Sequence, residues 1–368
     1  MHKYLVEGSG ILVQGYLVLE NGKVFKGTRF GATGDVMAEV VFTTSMTGYL
    51  ETLTNKSNAG QMVVQTFPMI GNYGVIPSDF EADEVSVKAY IVNEWCQFPS
   101  NFRNEGNLDA FFVEKNVVGL SGIDTRALTK MIRTTGSLNA CITNDPASVD
   151  MEALKNYQIT GEVSKASTKA VYTVTAENET QKLALLDFGV KKSLITELTQ
   201  RGCTVTVYPH DTKAADILAT KPDGIVLSGG PGNPMENELA VLEIKELLGA
   251  NIPMFATHLG HQLLALAHGF TVTKMAYGHR GSNQPIRDTK TGKVYLTAQS
   301  HQYAVTKESI DDKAQVIYEH INDLSPEGLF YEGAKALSLQ FYPEAASGPL
   351  DTKFLFDQFV DMLKGGSN

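Results

Sequence analysis

In this sequence of 368 residues, the side chain best placed to do chemistry is His258. It falls within Ile252-Pro253-Met254-Phe255-Ala256-Thr257-His258-Leu259-Gly260-His261-Gln262-Leu263-Leu264-Ala265-Leu266-Ala267-His268-Gly269. Apolar residues run into a turn at Thr257 to Gly260 and resume at helical spacing as far as Gly269. The stretch therefore predicts a short buried strand, a sharp bend and a helix. Enzymes of the α/β class present a nucleophile on such a bend, with N–H groups of the new helix aimed at a developing oxyanion. Here the bend carries an imidazole.

A second candidate is Val226-Leu227-Ser228-Gly229-Gly230-Pro231-Gly232-Asn233-Pro234. Its glycines and prolines allow unusual dihedrals, and freed N–H groups there would bind an oxyanion. Glycine-rich turns are common, so the motif alone carries little weight. His258 and His261 form an H-x-x-H pair, with His279 and His301 elsewhere, which raises a metal site. The pair straddles a turn and a helix start, and no metal is expected.

Parallel strands are the elements that must position these residues. From Leu183 the chain alternates strand and helix: Leu183 to Gly189, a helix Lys192 to Arg201, Thr204 to Tyr208, a helix Ala214 to Ala219, then Gly224 to Ser228. Strands apolar on both faces and separated by helices predict a mainly parallel, doubly wound sheet, with sites at the carboxyl ends of its strands. A last strand, Ala336 to Phe341, runs into Tyr342-Pro343-Glu344-Ala345, and an amphipathic helix from about Leu350 to Leu363 follows.

Residues 1–145 read as a mixed, mostly β domain. Asn21-Gly22 between Tyr16-Leu17-Val18-Leu19 and Val24-Phe25 marks a hairpin. Asp124 is placed as an N-cap before a helical pattern through Arg133. Val40 to Tyr49 and Phe67 to Gly74 are strands or loops that either line a site or turn the chain. Residues 146–182 turn polar and weakly periodic, and the later part, Ser164 to Lys182, reads as a connection to a domain spanning 183–368.

Composition narrows the function. A net charge of -10 and a pI near 5.3 argue against nucleic acid or an anionic membrane as partner. No apolar run approaches the ~20 residues of a membrane span, and Met1 to Gly10 lacks the order of a secretory signal, so a cytoplasmic protein is expected. Cys96, Cys141 and Cys203 are too scattered for a disulfide framework or zinc cluster.

Together these residues closely resemble the small subunit of carbamoyl-phosphate synthase, whose second half is a class I glutamine amidotransferase domain. The resemblance rests on Glu39 to Phe42, Ser45-Met46-Thr47-Gly48-Tyr49, Ile70 to Gly74, Ser100 to Arg103 and Gly122 to Arg126. In the second half it rests on Ser228 to Pro234, Leu259 to Ala267, Gly278 to Gly281, Thr297 to Gln299 and Pro343 to Ala345. The family's chemistry, as the resemblance implies it, is hydrolysis of glutamine by a Cys-His-Glu triad. The ammonia passes to a large subunit that makes carbamoyl phosphate from ATP and bicarbonate, for arginine or pyrimidine biosynthesis. ATP and Mg are expected only in that large subunit, and no cofactor in this chain.

The family's nucleophile falls on His258, its base on Tyr342 and its orienting glutamate on Glu344, so only the third matches. A thiolate beside an imidazole is a strong nucleophile, whereas an imidazole in its place crowds the approaching amide. A phenol is a weak base at neutral pH. Ser45, Gly230, Gly232, Leu259 and Gln262 match positions that hold glutamine or its oxyanion. Ser300-His301-Gln302-Tyr303 departs from the family's Asn-His-Gly followed by an aromatic residue. The expectation is a silenced glutaminase that supports an ammonia-dependent large subunit as scaffold or regulator, with glutamine binding in doubt. Alternatives are a paralogue that binds another partner or ligand, and a rebuilt hydrolase with His258 attacking.

Overall fold

Period-two alternation organises the first half of the chain. In the computed structural model, which describes residues 13–365, the strands Gln14–Leu19, Val24–Gly31, Val118–Ser121, Ala89–Ile91, Gln61–Gln65, Val36–Thr43 and Leu138–Thr143 form a closed barrel in that order. Leu17 and Leu19, Ala38 and Val40, Met62 and Val64 are alternate residues in one apolar core, as the side-chain period of a strand requires. Closure leaves the barrel no unpaired edge. The hairpin at Asn21-Gly22 forms as expected, with Gly22 at φ 83° and the N–H of Leu19 donating to the carbonyl of Lys23 at 2.9 Å. Asp124 caps the helix Thr125–Thr135 by accepting from the N–H of Ala127 at 2.8 Å.

The second half holds a ten-stranded sheet. At its centre Cys203–Pro209, Gln181–Asp187, Gly224–Leu227, Met254–Thr257 and Ala336–Leu339 run parallel. Neighbouring residues on these strands enter different cores. Leu186, Leu227 and Ala256 pack on one side with Ile244 and Leu263. Leu185, Val226 and Phe255 pack on the other with Leu198 and Phe359. Helices therefore cover both faces, and the run of apolar residues in each central strand follows from that.

Beyond Ala336–Leu339 the sheet continues antiparallel through Pro326–Tyr331, Gln315–His320, Val272–Asp288 and Val294–Val305. This extension was not legible from the pattern. Val272–Asp288 changes register between Lys274 and His279 and again between Gly281 and Gln284, which breaks the alternation that marks a strand.

The chain divides into two compact units. One comprises residues up to Phe42, Gln61–Pro77 and Lys88–Gln158; the other comprises Thr43–Gly60, Ser78–Val87 and the chain from Ile159. The segment 146–182, expected as a connection, is divided between the two units at Gln158 and Ile159. Its first residues belong with the barrel, and Tyr172–Val174 is an antiparallel edge strand beside Cys203–Pro209. Three partly exposed residues on a sheet edge are too short for a periodic signal. The last helix begins at Phe354, not near Leu350. No helix among the described residues is long and apolar enough to cross a membrane.

Candidate functional site

The site lies within the second unit. Met254–Thr257, fully buried between Gly224–Leu227 and Ala336–Leu339, delivers His258 onto the bend before the helix Leu259–Ala267. His258 has φ 51° and ψ -110°, a strained conformation for a residue with a Cβ. Its N–H donates to the carbonyl of Leu339 at 2.8 Å, and the N–H of Gly260 to the carbonyl of Ser228 at 3.0 Å. Position 260 must be glycine, because a Cβ there would lie 2.3 Å from the carbonyl oxygen of Leu227. Position 230 is constrained alike, with the carbonyl of Phe188 at 2.3 Å from a Cβ.

The imidazole of His258 is inside the protein, 4% exposed. Its Nε2 lies 2.7 Å from the carbonyl of Ser300. A carbonyl only accepts, so Nε2 carries the hydrogen and Nδ1 the lone pair. Nδ1 is buried without a hydrogen-bond partner. Burial pulls the ring's pKa down to about 4; Arg280 and Lys191 push the same way, and the backbone of Ser300 and of Gly230 opposes them. At neutral pH His258 is an uncharged imidazole committed to a backbone carbonyl.

Tyr342, which the resemblance puts on the base position, stacks on that ring with centroids 5.0 Å apart and planes 12° apart. It is buried, and its hydroxyl accepts from Nδ2 of Asn55 at 3.4 Å. Burial raises the phenol's pKa, against the cation Lys191 and hydrogen bonds from Ser57 and Asn55. The phenol therefore keeps its proton. Glu344, which the resemblance puts on the orienting position, turns to Lys191: Oε1 lies 3.2 Å from Nζ, with both side chains buried. Lys191 Nζ also donates to the carbonyl of Ala346 at 3.2 Å and lies 4.3 Å from the centre of the Tyr342 ring. Burial would lower the lysine's pKa, but Glu344 and Glu81 raise it overall, so the ammonium stays charged.

The remaining expected positions are distributed around this core. Ser300 touches His258 through its carbonyl, and its hydroxyl is fixed between Asn58 Oδ1 at 2.8 Å and Arg280 Nη1 at 2.9 Å. A Cβ on Gly230 would meet Leu259 at 2.9 Å, so those two positions are adjacent to each other. Gln262 spends its amide internally, donating to the carbonyl of Tyr303 at 2.8 Å and to Gln340 Oε1 at 3.0 Å. Ser45 Oγ pairs with Ser282 Oγ at 2.7 Å, Gly232 adopts φ 81°, and Gln302 is buried. An acyl-transfer site needs a nucleophile with an adjacent base and space for the acyl group. Here the imidazole of His258 and the phenol of Tyr342 are stacked face to face.

The H-x-x-H pair does not converge, because His261 Nδ1 bonds to Ser338 Oγ at 2.7 Å and His258 bonds to Ser300. The residues that sequence reasoning missed are Lys191, Asn55, Asn58 and Arg280. Lys191 had a signal, a lysine pair, Lys191 and Lys192, shortly after the carboxyl end of a buried parallel strand. The two asparagines come from the first half of the chain, in a stretch without periodicity.

Two family descriptions match. Residues 17–142 match "Carbamoyl-phosphate synthase small chain, CPSase domain", and residues 184–362 match "Glutamine amidotransferase class-I". The chain is 44% identical over 351 residues to the carbamoyl phosphate synthase small chain of Streptococcus agalactiae serotype III, covering 94% of this chain and 97% of that one. It is 43% identical over 357 residues to that of Staphylococcus saprophyticus, covering 96% and 97%. It is 44% identical over 351 residues to that of Bacillus anthracis, covering 95% of each.

Proposed function

Because this chain belongs to the carbamoyl-phosphate synthase small-chain family, we propose that it pairs with a large subunit as a small subunit whose glutaminase chemistry has been silenced. The observation that carries this reading is the stack of His258 on Tyr342. Two buried aromatic rings stand where a thiol and an imidazole would have to meet, 5.0 Å apart and nearly parallel. Neither can take the family's step. The neutral imidazole gives its N–H to Ser300, and the phenol keeps its proton at neutral pH. Glu344 persists for a different reason, as the counter-ion of Lys191.

In this reading the chain acts as a scaffold or regulator for a large subunit that takes free ammonia, and ATP and Mg belong to that partner. Thiols that remain free, Cys96, Cys141 and Cys203, accord with a reducing cytoplasm. The test is reconstitution with the large subunit and measurement of carbamoyl phosphate formed from glutamine and, separately, from ammonium. Turnover with ammonium alone is expected. Glutamine-supported turnover that disappears in His258→Ala would overturn the proposal, and failure of the two chains to co-purify would favour a paralogue with another partner.

A further inference from the structure

The antiparallel half of the sheet gathers a second set of polar side chains that the silenced site does not use. His279 on Val272–Asp288, Gln299 and His301 on Val294–Val305, and Glu327 on Pro326–Tyr331 are all buried, and Glu327 is 0% exposed. The ligand atoms of His279, His301 and Glu327 lie within 4.8 Å of one another.

The hydrogen bonds around them sort donors from acceptors. His279 Nε2 bonds to Asp323 Oδ2 at 2.8 Å, and His301 Nδ1 to the carbonyl of Tyr303 at 2.9 Å. Each ring thereby holds a hydrogen on its outer nitrogen and, when neutral, turns a bare lone pair inward. Inside, His279 Nδ1 lies 3.2 Å from Glu327 Oε1, and His301 Nε2 lies 3.9 Å from the same oxygen and 2.9 Å from Gln299 Oε1. The other oxygen, Glu327 Oε2, is buried with no hydrogen-bond partner. The Ser325 hydroxyl donates to Glu327 Oε1 at 3.3 Å; with His279 neutral, inward-facing acceptors still outnumber the donors among the described residues.

From this arrangement we infer that His279 Nδ1, His301 Nε2, Glu327 and Gln299 Oε1 form a binding site for a divalent cation of the zinc class. Two imidazoles, a carboxylate and an amide oxygen suit that class. Tetrahedral bonds of about 2.0–2.2 Å place ligand atoms roughly 3.3 Å apart, inside the spread of 2.9 Å, 3.2 Å and 3.9 Å seen between these atoms. Asp323 and the Tyr303 carbonyl, each accepting the outer N–H of a ligating histidine, are the partners that orient such rings. The site is distinct from the stacked pair. The His258 and His301 rings are perpendicular with centroids 6.2 Å apart, and His258 is committed to Ser300. A cation here would cross-link three strands of the extension beside the filled bend.

A proton on His279, shared between Asp323 and Glu327, is the competing occupant. Titration of the chelator-treated full-length chain with Co(II) separates the two. Tetrahedral Co(II) absorption bands saturating near one equivalent, displaced by Zn(II), with a Zn(II)-dependent rise in Tm, are expected. Glu327→Gln and His301→Gln are expected to weaken binding by about 10-fold or more. No bands and no change in Tm with Zn(II) would leave a proton as the occupant and overturn the inference. Binding of unchanged strength in both variants would do the same. The titration of the unsubstituted chain stands even if a variant fails to fold.

Discussion

The imidazole of His258 and the phenol of Tyr342 are stacked at 5.0 Å with their planes 12° apart, and both are buried. A nucleophile and its base need a hydrogen bond between them; these rings meet face to face instead.

Restoring one partner alone is not expected to restore the chemistry. Neither His258→Cys nor Tyr342→His should hydrolyse glutamine above background, since each lacks the other half of the proton transfer. The double variant should gain about 10²-fold over the single ones, the scale of a positioned general base. Ammonia release from glutamine is the measurement, and an active single variant would contradict the proposal that the stack silences the site.

Backbone strain and ring packing oppose each other at position 258. Removing the ring loses the stack and the 2.7 Å bond to Ser300, so both His258→Ala and His258→Gly should lower the urea midpoint. With φ at 51° and ψ at -110°, glycine relieves the strain and alanine does not. The glycine variant should be the more stable of the two by about 1 kcal/mol. Equal midpoints would mean that the bend is not strained.

Lys191 and Glu344 form an ion pair with both side chains buried. Lys191→Met should destabilise the protein by about 3 kcal/mol, because a buried carboxylate loses its counter-ion. Adding Glu344→Gln should recover a large part of that loss. Burial already raises the Glu344 carboxyl's pKa, so without Lys191 it should hold a proton more firmly, and the loss should deepen as pH rises above the ordinary carboxyl range. A double-mutant cycle by denaturant unfolding measures the coupling, and strictly additive effects would contradict it.

Burial lowers the pKa of His258 to about 4 and that of His261 to about 3. In the unfolded chain histidine takes up a proton near ~6.5. Above that pH both states are neutral and the stability is complete. As pH falls from about 6.5 towards the folded values, the unfolded state alone is protonated and stability is lost. His258→Gln should therefore show a shallower loss of stability between pH 6.5 and 4 than the unsubstituted protein. Parallel curves would indicate that the ring is already protonated in the fold.

Much of the fold was legible in local pattern. The Asn21-Gly22 hairpin, the Asp124 cap and the strand, bend and helix around His258 were each read from neighbouring residues, because turn chemistry and periodicity act over a few positions. The antiparallel extension was not, since its longest strand changes register twice.

Within the site, the residue types at 258, 342 and 344 are properties of the sequence, and so is the departure of the first two from the Cys-His pair that the resemblance implies. Their geometry is not. That His258 donates to Ser300, that Tyr342 lies flat against it and that Glu344 turns to Lys191 depend on strands far apart in the chain being brought side by side. The gathering of His279, His301 and Glu327 has the same origin, for pairing across a sheet sets which distant side chains share a face, and no local spacing records it.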